Sequence, residues 1–218
     1  MKMKAEECFD EFTTYVVELP VREHGRAEVH EAKQKEIENL QFYKTYEEID
    51  NIGQESITMR WVITAKEQHD GQKQAYKARL VARGFQETDK PQSDSPTALG
   101  ESMKLFLAMA AVQGFDLRAV DIRAAFLQAE SLKREIFIRP PKDISKDGVL
   151  WKLLKPIYGL DDASRRFWLT VRRIFKEEGL NPITGDKAFY VKRVEGKLVG
   201  SVLTHVDDFL IAGSPDFI

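Results

Sequence analysis

The stretch Ser201-Val-Leu-Thr-His-Val-Asp-Asp-Phe-Leu-Ile-Ala-Gly213 decides how the rest of the chain is read. Two short apolar runs flank adjacent carboxylates, Asp207 and Asp208. Each run has the length and β-branched content of a strand, which predicts a hairpin with buried arms and the carboxylates in or beside its turn. A polar pair between apolar arms is ordinarily no more than a turn. Two features count against that here. Tight two-residue turns favour Asn-Gly or Asp-Gly, and no glycine stands at this tip. Adjacent like charges also repel unless a cation or solvent screens them. A third carboxylate, Asp121, in the same kind of setting upstream makes the hairpin a candidate site.

Outward from there, Phe115 to Asp121 alternates as a strand, with Phe115, Leu117, Ala119 and Asp121 on one face. A short helical run follows, for which Asp121 would also serve as an N-cap. Glu101 to Gln113 predicts a helix capped by Ser102, with Met103, Leu105, Phe106, Met109 and Ala110 as a core stripe and Gly114 as its stop. Residues 84–99 read as a polar loop. Thr58 to Lys66 and Gln74 to Ala82 predict a second hairpin, turned at His69-Asp-Gly-Gln. In its second arm Lys77, Arg79 and Val81 share a face, which suits phosphate contact or is an ordinary solvated face. Glu28 to about Lys44 is helical by periodicity. Short strands are expected at Ile136–Ile138, Val149–Leu154, Ala188–Val194 and Leu198–His205. A loop from Ile157 enters a helix running to about Glu178, with Phe167, Trp168, Val171, Ile174 and Phe175 inside and Arg165, Arg166, Arg172 and Arg173 largely outside. Antiparallel strands with helices on one face predict an α+β fold.

The 218 residues suit one domain or two small subdomains. The single cysteine, Cys8, cannot form an internal disulfide, which favours an intracellular setting. No apolar h-region follows the start, and no apolar run approaches the ~18 residues of a membrane helix. Net charge is −2, but unevenly spread: residues 1–50 hold 7 Lys/Arg against 13 Asp/Glu, and the rest carries +4. Positive charge concentrates at 60–83 and 165–176. Such faces can bind phosphates in a chain of near-neutral total charge.

These motifs, taken together and in order, resemble the reverse transcriptase of copia-type retrotransposons. The matching residues are Arg60-Trp-Val-Ile, Tyr76-Lys-Ala-Arg-Leu-Val-Ala-Arg-Gly-Phe85, Val120-Asp-Ile-Arg-Ala-Ala-Phe-Leu127, Ile138-Arg-Pro-Pro141, Leu150-Trp-Lys-Leu, Ile157-Tyr-Gly-Leu160 and His205-Val-Asp-Asp208. They cover about residues 28–214. The chain departs from the commonest pattern at His205 (usually Tyr), at Asp94 (usually Phe before Ser-Pro) and at Asp161-Asp162-Ala-Ser (usually Lys-Gln-Ala-Pro). In these it resembles an animal branch of the family.

The resemblance implies a right-hand polymerase, with an antiparallel palm sheet backed by helices. Residues 1–27 would be an N-terminal arm without fixed structure and 28–100 a connecting helix and the fingers hairpin. Residues 101–218 would be the palm, with part of the fingers at about 128–160, stopping before a thumb and RNase H. It implies catalytic, metal-holding roles for Asp121, Asp207 and Asp208, with two Mg²⁺ ions or Mn²⁺ in their place. Lys77 or Arg79 would hold the incoming triphosphate. Phe126 would exclude a ribonucleotide 2′-hydroxyl, and Tyr158 and Gly159 would shape the nucleotide pocket. Arg165 and Arg166 would meet the template or primer backbone. The implied partners are an RNA or DNA template with primer, deoxynucleoside triphosphates, and the thumb, RNase H and integrase parts of a polyprotein, with no membrane. The implied setting is a cytoplasmic virus-like particle or the nucleus. The alternative is a remnant or host-adopted fragment that binds nucleic acid without turnover.

Overall fold

A computed structural model describes residues 16–66 and 75–218. Most of the N-terminal arm, Cys8 and the turn expected at His69 to Gln72 lie outside the described residues. The elements in the first half are β1 (Val16–Glu18), α1 (Ala27–Phe42), β2 (Tyr46–Asp50), β3 (Ile57–Lys66), β4 (Ala75–Ala82), α2 (Gly100–Gln113) and β5 (Asp116–Asp121). They continue with β6 (Phe137–Arg139), β7 (Val149–Leu153), α3 (Ala163–Glu177), β8 (Leu180–Ile183), β9 (Asp186–Val194), β10 (Lys197–His205) and β11 (Asp208–Gly213).

The strands form two sheets. One runs β1-β3-β6-β7-β2 with β4 also on β3; the other runs β5-β11-β10-β9-β8. The β3–β6 pair is the one parallel neighbour among them. The first sheet buries Ile63, Leu80 and Ile138 completely, and α1 contributes Val29 and Leu40 to the same core. The second sheet is covered on both faces, because successive residues of a strand point to opposite sides. Val202, Phe209 and Tyr190 pack with Phe167 and Val171 of α3. Leu203, Ala212 and Phe189 pack with Phe106 and Ala110 of α2 on the other face. The mixed α/β architecture with antiparallel sheets agrees with the expected class.

Several local expectations change. Part of the N-terminal arm is structured: β1 pairs with β3, and the Leu19 amide donates to the Ile63 carbonyl at 2.7 Å. Ser102 does not cap α2. The cap position is Leu99, and Ser102 is buried in a hydrogen bond with Asp186. The broad stripe of α2 is not all core, since Met103 and Leu105 are exposed. On α3, Ile174 is exposed rather than inside. Asp121 is the last residue of a strand and caps nothing; the helical run after it shortens to a 3₁₀ turn, Ala125–Gln128, behind Ala124.

Two glycine contacts fix the parts that matter for function. Gly200 and Gly213 face each other across β10 and β11, and the Phe217 ring lies where their Cβ atoms would be. At the end of β4, the Ala82 amide donates to the Tyr158 carbonyl (2.8 Å) and the Gly84 amide to the Gly159 carbonyl (3.1 Å). A Cβ on Gly159 would lie 2.1 Å from the Ala82 oxygen, and its φ of +88° suits glycine. Backbone meets backbone here with no room for a side chain.

Candidate active site

The turn between β10 and β11 is as short as a hairpin allows. His205 pairs with Asp208, leaving Val206 and Asp207 at the tip. Val206 has φ +57°, while Asp207 is not in the positive-φ region. Positive φ at the first tip residue alone is the type II′ pattern, whose usual occupant is glycine. A β-branched residue there stores about 1–2 kcal/mol of strain, and strained backbone of this kind concentrates at functional sites.

Register brings the third carboxylate in. Asp208 of β11 is directly opposite Asp121 of β5, and the Ile122 amide donates to the Asp207 carbonyl at 2.9 Å. The backbones of Asp121, Asp207 and Asp208, separated by up to 87 residues, are thus brought to one end of the sheet. His205 lies in the same cross-strand row. Among the described residues none of the three aspartates has a hydrogen bond or ion pair to its carboxylate. Like charges directly opposite on neighbouring strands are destabilising by up to ~1 kcal/mol. The arrangement is therefore stable only with a compensating cation or good solvation. The donor set is oxygen only, which fits Mg²⁺ or Mn²⁺. Among the described residues no group of three His, Cys, Asp or Glu side chains is placed so that it could hold a metal ion. Mg²⁺ needs no such group, because it is often held by one or two carboxylates with water and substrate phosphates completing the shell. A largely apolar cavity of about 660 Å³, lined by Leu99, Met103, Ala119, Leu203 and Leu210, opens beside Asp121 and Asp208.

The other candidate residues assemble around Tyr158. The Phe126 and Tyr158 rings pack edge to face with centroids 4.9 Å apart. The Arg79 guanidinium lies 5.5 Å from the Tyr158 ring centre, and its Nε is buried without a partner. Burial raises the Tyr158 phenol above its ordinary value; Arg79 opposes this by charge and hydrogen bond, while Glu36 and Asp207 add to it. The negative charge of Asp207 is thus felt at this ring. Glu36 of α1 was not singled out from the sequence. Burial raises its carboxyl, against the Leu80 amide (3.1 Å) and the charges of Arg79 and Lys77. Lys77 is exposed and makes no contact with the Tyr158 ring.

The two arginines assigned to template contact are engaged elsewhere. Arg166 donates to Asp162 at 2.7 Å, and Arg165 donates to the Asp94 carboxylate (3.0 Å), the Asp94 carbonyl and Gln92. Sequence reasoning also passed over Arg134 and Glu87. Arg134 forks onto Asp162 with bonds of 2.6 and 2.9 Å and onto Glu87 with bonds of 3.0 and 2.9 Å. Burial works against the Asp162 charge, but hydrogen bonds from Arg134 and Arg166 outweigh it and hold the carboxyl below its ordinary value. The available signal was the unusual Asp161-Asp162 pair.

An acidic hairpin turn joined in register to a second acidic strand end, on a helix-covered sheet, defines a class, and residues 43–217 match the family model for reverse transcriptase (RNA-dependent DNA polymerase). The chain belongs to this family. Its relatives narrow the kind to Pol polyproteins of copia-type LTR retrotransposons. The chain is 33% identical over 161 residues to the retrovirus-related Pol polyprotein from transposon RE1 of Arabidopsis thaliana, covering 71% of this chain and 11% of that protein. It is 30% identical over 189 residues to that from transposon TNT 1-94 of Nicotiana tabacum (84% and 14%). It is 27% identical over 185 residues to the transposon Ty1-H Gag-Pol polyprotein of Saccharomyces cerevisiae (81% and 10%). The chain thus matches only about a tenth to a seventh of the length of these relatives. No helix among the described residues is long and apolar enough to cross a membrane.

Proposed function

We propose that this chain is the polymerase core of an RNA-directed DNA polymerase, adding deoxynucleotides to a primer 3′-hydroxyl along a template. The observation that carries the reading is the register that sets Asp208 opposite Asp121 and hydrogen-bonds Asp207 to Ile122. In this reading the β3–β4 sheet acts as fingers and the β5–β11–β10 sheet as palm. Asp121, Asp207 and Asp208 would hold two divalent cations, Mg²⁺ or Mn²⁺. When bound, such ions supply charge stabilisation for the attacking and leaving oxygens of an in-line displacement.

The primer oxygen attacks the α-phosphorus, the α–β bridging bond breaks, and pyrophosphate leaves. Little covalent chemistry falls to the protein, so its residues position and neutralise. Arg79 is better supported than Lys77 as the triphosphate contact, because its guanidinium packs on Tyr158 with an unpaired donor. Phe126, held against Tyr158, bounds the sugar side of the slot and excludes a 2′-hydroxyl. Gly159 lets the Tyr158 loop approach β4 closely enough to form that slot. Template and primer, deoxynucleoside triphosphates and the other parts of a Pol polyprotein are the partners, in a cytoplasmic particle or the nucleus.

The test is Mg²⁺-dependent extension of a DNA primer on an RNA template, comparing the parent with Asp207→Asn. The expected loss is at least about 100-fold. Equal extension by both proteins would remove the carboxylates from the chemistry. No extension by the parent, with retained template binding, would favour the binding fragment instead.

A further inference from the structure

The three acidic departures from the commonest family pattern each have a basic partner. Asp94 pairs with Arg165, Asp161 with Lys90 at 3.1 Å, and Asp162 with Arg134 and Arg166. The usual residues could not make these pairs. Phe at 94 accepts nothing, Lys at 161 would face Lys90, and Gln at 162 brings no charge to two guanidiniums. The Asp94 and Asp161 pairs join the loop after β4 to the N-terminal turn of α3, while Asp162 pairs within that turn and with Arg134 ahead of β6. Lys90 also donates to the Gly84 carbonyl (2.9 Å), and Ser95 to the Ser164 carbonyl (3.3 Å).

We infer that Arg134 is a positioning residue for the nucleotide pocket, acting as the tie that sets the Tyr158–Gly159 loop against the end of β4; this rests on the polymerase reading above. The tie closes a ring. Gly84 bonds Gly159, Glu87 lies three residues beyond Gly84, Asp162 lies three beyond Gly159, and Arg134 joins Glu87 to Asp162. The ring is shielded: the side chains of Asp162 and Glu87 are 3% and 8% exposed and that of Arg134 23%. A planar five-donor fork matched to two carboxylates fixes both distance and angle, which a lysine ammonium cannot do. Arg79 enters the pocket from β4 and Tyr158 from the loop, so the ring governs their separation.

The test uses Arg134→Lys, the triple variant Glu87→Gln/Arg134→Met/Asp162→Asn, and Arg173→Met as a control on the exposed face of α3. The triple variant removes the buried charges together, because loss of Arg134 alone strands the buried Glu87 and leaves Asp162 with Arg166 only. Two quantities are read: hydrogen exchange at the Ala82 and Gly84 amides, and the KM and kcat for deoxynucleotide in primer extension. Loss of the tie should speed exchange at those amides about tenfold while Val202 and Leu203 keep their protection. It should raise KM about tenfold with kcat changed less than about threefold. The lysine variant should fall between parent and triple variant, and the control should match the parent. A folded triple variant with parental amide exchange and parental KM would overturn the inference. A parent that extends no primer would remove the polymerase reading, and the amide exchange would still decide whether Arg134 holds the loop.

Discussion

Replacing Gly159 by alanine tests the close approach between the end of β4 and the loop that leads from β7 to α3. The new Cβ would stand 2.1 Å from the Ala82 oxygen and 2.7 Å from a Val81 methyl. Carbon–oxygen contacts under 3.0 Å are essentially never adopted, so the loop and the end of β4 must part by at least 0.9 Å. That shift stretches the Ala82–Tyr158 bond of 2.8 Å and the Gly84–Gly159 bond of 3.1 Å beyond hydrogen-bonding range. Two bonds at about 1 kcal/mol each, plus about 1–2 kcal/mol for alanine at positive φ, give roughly 3–4 kcal/mol. The smaller entropy of an alanine-bearing unfolded chain returns about 0.4–1 kcal/mol, leaving roughly 3 kcal/mol. For a chain of this size that is a fall in Tm of about 6–12 °C. Gly53→Ala is the matched control. Its φ is +93° with nothing within 4 Å of the added carbon. It should lose only the conformational part, about 1–2 kcal/mol, less the same unfolded-chain return, leaving roughly 1 kcal/mol or below. Thermal unfolding by circular dichroism measures both. Equal Tm losses in the two variants, or a Gly159→Ala protein within 2 °C of the parent, would refute the reasoning.

Val206→Gly should relieve strain at the hairpin tip. After the entropic cost of glycine the gain is about 0.5–1 kcal/mol, read as a Tm rise of roughly 1–4 °C, with slower primer extension because the tip carrying Asp207 loosens. Mg²⁺ at about ten times its dissociation constant should stabilise the parent by about 1.4 kcal/mol and Asp208→Asn by less; the same melting shift in both would remove Asp208 from the site. Glu36→Gln should raise stability at neutral pH. A carboxyl whose folded pKa is raised destabilises increasingly as pH climbs above its unfolded value, so the gain should vanish near pH 4, checked by denaturant titration at several pH values. Asp162 has the opposite sign. Its lowered carboxyl contributes stability above the unfolded value near ~4, lost as pH falls through the lower folded value, and Asp162→Asn should flatten that acid limb.

Elements with a strong local pattern were legible in the sequence. The period-2 runs gave β3, β4, β9, β10 and β11 to within a residue or two, and Gly114 marked the end of α2 with φ +63°. Strands that owe their existence to partners were not. Tyr46–Asp50 has three acidic residues in five and becomes β2 by pairing with β7, where Tyr46 stacks on Trp151 at 3.8 Å. Leu180–Ile183 contains Pro182, which only an edge strand tolerates, and β8 is an edge. The aspartates were visible from their motifs, but the alignment of Asp208 with Asp121 is a long-range register that no local pattern encodes. The pairing of Arg165 with Asp94 and of Arg166 with Asp162 was not legible for a related reason: helical position gives a direction, and the tertiary structure decides what the side chain meets.

The position of β5 bears on how the molecule comes to be folded. Within its sheet this strand has one neighbour, β11, and all six of its residues are exposed. Asp121 leaves the ribosome 87 residues before Asp208, the residue it pairs with. At roughly 5–20 residues per second, that interval is about 4–17 s. Throughout it, a strand bearing Leu117 and Val120 has no native partner, while the β3–β4 hairpin is already complete. The carboxylate site thus forms later than the β3–β4 hairpin. Slowing translation between residues 121 and 208 should lengthen the window in which nascent chains misassociate, and a chaperone that shields an open strand should raise the yield of folded protein most at that stage.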